Sequence, residues 1–193
     1  MKNSNPDHTK AMAPGDVLEP VLALMETDGE AALARLDALV EVYADDPRLY
    51  FMSGSVLAGL EHYAEARTAM QKAVDIAPDY GLARFQLGFL ALTSGDAVGA
   101  RAIWLPLLSL PADDPLKLFA EGLAAMLAGH FDAAISLLET GIRRNEALLP
   151  LNKNMAILIQ EMRERLKLQA AETEVESGAH FLLKQYSFKD TRH

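Results

Sequence analysis

The sequence predicts an all-α fold built of stacked antiparallel helix pairs, and three features carry that expectation. Gly54, Gly88 and Gly122 recur every 34 residues, each inside an apolar stretch with helical periodicity. Ala32, Ala66, Ala100 and Ala134 recur at the same interval of 34, offset into the partner helix. Asp46-Pro47 and Asp114-Pro115, two periods apart, each place a carboxylate at a helix N-cap and a proline at the first helical position. A fixed period of this length marks a repeat architecture, in which each unit buries its apolar face only against its neighbours.

The elements follow in order. Residues 1–12 are polar, contain Pro6 and lack periodicity, so they are expected to form a disordered arm. Asp16 is expected to cap a first helix running to about Thr27, with Pro20 tolerated because the first turn has no intrahelical acceptors for its N–H groups. Asp28-Gly29 makes the turn into a second helix, Glu30 to Tyr43, with Ala31, Leu33, Leu36, Leu39 and Val40 inward. Helices then alternate over roughly 48–60, 64–77, 82–93, 97–109, 116–128 and 132–144, with Gly95-Asp96 and Gly129-His130 in the turns. The acid doublets Asp45-Asp46 and Asp113-Asp114 read as caps, not as paired catalytic carboxylates. A capping helix is expected over 149–176, stopped by Ser177-Gly178, and an apolar-containing tail over 177–193.

Composition bounds the function. Half of the 193 residues are hydrophobic, enough for one folded unit without staples, and there is no cysteine. That excludes a disulfide framework, a zinc ribbon and a thiol nucleophile, and fits a reducing compartment. The N-terminal residues lack the apolar core of a signal peptide, and no window reaches the roughly 18 apolar residues of a membrane span. A cytoplasmic protein without membrane insertion is expected. The net charge of −9 disfavours nucleic acid, which needs clustered Lys and Arg. Residues 13–46 hold nine acids against the single base Arg35, which suits a solvated outer face on an end repeat or a patch steering a basic partner.

The residues Tyr50, Gly54, Leu57, Tyr63, Ala66, Met70, Ala73 and Pro78 give the chain its resemblance to the tetratricopeptide repeat family. Leu87, Gly88, Ala91, Gly95, Ala100 and Trp104, then Gly122, Ala125, Gly129, Phe131, Ala134 and Leu138, repeat it. The resemblance covers an array over 13–148, with a degenerate unit at 13–46 and fuller ones at 47–80, 81–114 and 115–148. It implies a right-handed superhelix of about four repeats. The mid-helix glycines have a physical reason beside the family one. Glycine there costs about 1 kcal/mol relative to alanine, so close approach of Ala66, Ala100 and Ala134 is expected to offset it, with Met70, Trp104 and Leu138 filling the space one turn on.

The resemblance also implies where partners bind: the first helix of each pair lines a concave groove. Its outward positions here are Phe51, Met52, Ser55 and Ala58, then Leu82, Phe85, Phe89 and Leu92, then Phe119, Ala120, Leu123 and Met126. The groove is expected to be apolar, open to a helix or an extended peptide; core packing between units is the other reading for Leu82, Leu123 and Met126. Relatives that clamp a carboxylate terminus use Lys, Arg and Asn at such positions. Only Arg48, Arg84 and Lys117 are near them here, so no such clamp is expected.

Catalysis finds no foothold. His8, His62, His130, His180 and His193 lack metal spacing, no phosphate loop occurs, and no serine sits in a nucleophile elbow. The expectation is a non-enzymatic adaptor or scaffold without cofactor or metal, taking a protein or peptide partner; the alternative is a chaperone resembling those of bacterial secretion systems. Phe181, Leu182, Leu183, Tyr186 and Phe188 are expected to pack on the array, along the side of the last helix or in the apolar groove of the same or a neighbouring chain, which leaves self-association open.

Overall fold

The computed structural model describes residues 12–187, with side chains through Ala171. The helices are α1 Gly15–Thr27, α2 Gly29–Val40, α3 Pro47–Gly59, α4 Tyr63–Ile76, α5 Gly81–Thr93, α6 Ala97–Trp104, α7 Pro115–Leu127, α8 Phe131–Arg144 and α9 Leu149–Ser187, with a 3-10 turn at Leu105–Ser109. Among the described residues every element is helical, in the consecutive helix pairs that the repeat period predicts. The contacts divide the chain into two compact units, Met1–Leu110 and Pro111–His193.

Aspartate side chains cap the starts of α2, α3, α6 and α7. Asp28 accepts the Ala31 N–H at 3.0 Å, Asp96 the Gly99 N–H at 2.8 Å, and Asp114 the Leu116 N–H at 2.8 Å. The start of α1 differs from expectation: Pro14 is its N-cap and Asp16 lies inside the first turn. Pro20 is therefore interior, and its missing N–H leaves the Asp16 carbonyl without its helical donor. Both residues are exposed, so water is at hand for that carbonyl.

Proline also explains why the sixth helix stops early. It ends at Trp104, not near 109, because Pro106 cannot supply the next helical N–H; the chain tightens into the 3-10 turn instead. Conversely, α9 continues through Ser177-Gly178, where the sequence suggested a stop. One glycine costs only about 1 kcal/mol of helix propensity, too little to end a helix by itself. Apart from Met12, the expected N-terminal arm lies outside the described residues, as do the side chains of the tail cluster and of His8, His180 and His193.

Within the first unit each helix packs on the next, from α1 through α6. One core cluster joins Leu18, Val21, Leu36, Leu39, Leu49, Met52 and Val56; a second joins Ala66, Met70, Ala73, Val74, Ala83, Leu87 and Leu90. In the second unit α7 packs on α8 and α8 on α9, around Leu118, Phe119, Leu123, Leu138, Met155 and Ile159. The α8–α9 turn is tied by buried Asn145, whose side-chain amide donates to the Leu148 carbonyl and the Asn152 Oδ1, both at 2.8 Å.

Candidate functional site

The repeat-packing positions set the depth of the helix contacts. Gly54, Ala66, Gly88, Ala100, Gly122 and Ala134 are all buried. A Cβ at Gly54 would lie 2.6 Å from Met70 Cγ and 3.1 Å from the Ala66 carbonyl oxygen. At Gly122 it would lie 2.6 Å from Leu138 Cδ2 and 3.3 Å from the Ala134 carbonyl oxygen. At Gly88 it would fall on the Trp104 indole, 2.6 Å from Cδ1. The group pressed on each glycine is thus the large side chain first, with the alanine backbone behind it in two repeats. Real Cβ contacts do not occur that close, so glycine is required by space.

The proposed lining residues separate into two sets. Met52, Phe85 and Phe119 are buried and belong to the core, which corrects their placement in the groove; Leu123, for which core packing was the other reading, is buried too. Phe85 stacks on Trp104 of α6, with ring centroids 6.0 Å apart, above the space that Gly88 leaves for the indole. Phe119 lies on α8, where a Cβ at Gly141 would meet its Cε1 at 2.5 Å; Gly141 is the vacancy that draws the ring inward, and sequence reading had not singled it out. Ala120 is buried as well.

Phe51, Ser55, Ala58, Leu82, Phe89, Leu92 and Met126 are half-buried. In the first unit these gather on α3 and α5. Phe51 meets Tyr80 edge to face at 5.4 Å, and both pack beside the cluster of Ala83, Leu87 and Leu90. Phe89 stacks on Phe85 at 6.3 Å and so reaches the Trp104 platform. Met126, on α7, belongs to the second unit.

Beside this strip sits a polar clasp that the sequence showed only as a helix cap. The Asp46 carboxylate is fully buried and accepts the Ala13 N–H at 2.9 Å, the Arg48 N–H at 3.0 Å and the Arg48 guanidinium at 2.7 Å. Arg48 in turn donates to the Ala13 carbonyl at 2.6 Å, so both polar groups of residue 13 are held. Burial pushes the Asp46 carboxyl up, but the Arg48 side chain and the two N–H donors outweigh it and hold it below the usual carboxylate value. Burial raises Tyr80, against the nearby Arg48 charge. Arg84 is committed to the Pro78 carbonyl at 2.8 Å.

A family model described as tetratricopeptide repeat matches residues 47–80. Human tetratricopeptide repeat protein 34 is 32% identical over 91 residues, and its mouse counterpart 34% over 77. By these matches residues 47–80 are a tetratricopeptide repeat, and the chain is similar to tetratricopeptide-repeat proteins. The matched segments are 47% and 40% of this chain but only 16% and 14% of those relatives' length. Among solved structures, MamA 41-end from Desulfovibrio magneticus RS-1 superposes with a TM-score of 0.57 at 18% identity, over 90% of this chain and 98% of that one. YrrB, described as a TPR protein with an unusual peptide-binding site, superposes at 0.53 and 19% identity, over 76% and 82%. These similarities show the fold. Among the described residues no helix is long and apolar enough to cross a membrane, and no group of three or more His, Cys, Asp or Glu is placed to hold a metal ion.

Proposed function

We propose that this protein is a non-enzymatic, cytoplasmic adaptor that binds a peptide or helix of another protein on the α3–α5 face of its first unit. The carrying observation is the half-buried strip of Phe51, Ser55, Phe89 and Leu92 on two consecutive first helices, backed by a rigid aromatic stack. Aromatic side chains supported from beneath offer large contact area at small entropic cost. Helical repeats are protein-interaction scaffolds, and the description of YrrB as peptide-binding supports the same reading by fold analogy. The half-buried Met126 of the second unit is proposed as a further contact.

The test is affinity capture from the native cell with Phe51→Glu/Phe89→Glu beside wild type. Loss of the captured partner with unchanged helical circular dichroism is expected. Equal capture by both proteins would move the binding face elsewhere.

A further inference from the structure

Charge changes along the first helices of the first unit. Phe51 packs against both core clusters of that unit, which sets α3 between α1 and α5. The one charged residue of α5 is Arg84, held by the Pro78 carbonyl; that of α3 is Arg48, neutralised by the buried Asp46. Helix α1 carries Asp16, Glu19 and Glu26 and no base. The strip of Phe51, Ser55, Phe89 and Leu92 is therefore uncharged toward α5 and meets carboxylates toward α1.

The meeting point is an open cleft of about 300 Å³ between Met25, Glu26, Asp28, Ser55, Val56 and Leu60. Ser55, one turn from Phe51, belongs to both the strip and the cleft, so one ligand can span them. The side-chain polar groups of the cleft present acceptors. The hydroxyls of Ser55 and of Thr27, also on its wall, donate to the Phe51 and Ala23 carbonyls at 2.9 Å each, which spends their protons and leaves their oxygens. Asp28 spends Oδ1 on the Ala31 N–H at 3.0 Å, capping α2, and keeps Oδ2. Among the described residues neither Glu26 nor Asp28 is in an ion pair. Helices α1 and α3 both end at the cleft without a basic residue in the last turn, so their carbonyl ends add to the negative potential.

We propose that the segment bound on the α3–α5 face carries a lysine or arginine beside its apolar anchor, and that this cation sits in the cleft among Glu26, Asp28 and Ser55. The inference rests on the partner site proposed above and names the chemistry of its occupant. Lys and Arg side chains donate only, which matches a wall of acceptors. Their aliphatic stems lie along Met25, Val56 and Leu60 while the charged end reaches the carboxylates. The nine acids against one base over residues 13–46 draw the same ligand in from solution. The bound segment thus has a direction, its basic residue toward α1 and its apolar residue toward Phe51 and Phe89.

A random-peptide display library panned on the full chain tests this. Selected peptides are expected to share a large apolar residue and, at constant spacing, a Lys or Arg. Replacing that base by norleucine should weaken binding to wild type about tenfold and leave binding to Glu26→Gln/Asp28→Asn unchanged. That variant keeps the fold, because both positions are exposed and asparagine caps as well as aspartate. Phe51→Ala/Phe89→Ala, which alters no charge, should lose both peptides. Selected peptides without a base, or an equal norleucine effect on wild type and the acid variant, would overturn the cation cleft while the apolar strip stands. Peptides that bind the alanine variant undiminished would overturn the strip, and a wild-type chain that selects nothing would overturn both.

Discussion

The indole N–H of Trp104 donates a 3.0 Å hydrogen bond to the main-chain carbonyl of Phe85. The largest side chain of α6 is thereby fastened to the backbone of α5 beside the glycine that makes room for it. Gly88→Ala would place a methyl on the indole. It is expected to cost about 1–3 kcal/mol, read as a lowered denaturation midpoint with a shifted Trp104 emission. An unchanged midpoint would mean the indole can withdraw without loss.

Phe85 and Phe89 are one helical turn apart and should differ in how much their truncation costs. Phe85 is fully buried between Phe89 and Trp104, so Phe85→Ala should cost about 3–5 kcal/mol. Phe89 is half-buried, and Phe89→Ala should cost much less. Chemical denaturation of the two variants beside wild type measures the difference; equal losses would place both rings in the core.

Glu61 holds a left-handed backbone, φ 64°, at the turn position that Gly95 and Gly129 occupy one and two repeats later. A non-glycine residue there carries a strain of about 1–2 kcal/mol. Glu61→Gly is expected to raise stability by about 1 kcal/mol, after glycine's larger unfolded-state entropy is subtracted. A thermal midpoint that does not rise would show that Glu61 is compensated in place.

The Asp46 clasp makes stability depend on acid. Its carboxyl lies below the ordinary value in the folded protein, so as pH falls the unfolded chain binds the proton first. The contribution is therefore complete above the ordinary carboxylate range and disappears as pH drops through the lower folded-state value. Asp46→Asn should destabilise by about 2–3 kcal/mol at neutral pH and flatten the acid limb of the stability profile. A parallel profile, merely displaced, would assign the acid sensitivity to other carboxylates.

Local chemistry alone determined much of this protein. The spacing of Gly54, Gly88 and Gly122 and the Asp-Pro starts of α3 and α7 announce helices in a repeating unit, because caps, prolines and helical periodicity act within a few residues of chain. The helix limits went astray where a local signal competes with context, as at Pro20, at Pro106 and at Ser177-Gly178. The tertiary structure alone decided which side chains of a first helix face inward. Phe85 and Phe89 have the same chemistry and nearly the same helical face; what separates them is a Trp104 nineteen residues away. Phe119 is drawn in by Gly141, a vacancy on another helix, and Asp46 becomes a buried clasp only because Ala13 returns to it across 33 residues. Burial is a sum over neighbours distant in sequence, and no local pattern of residues contains that sum.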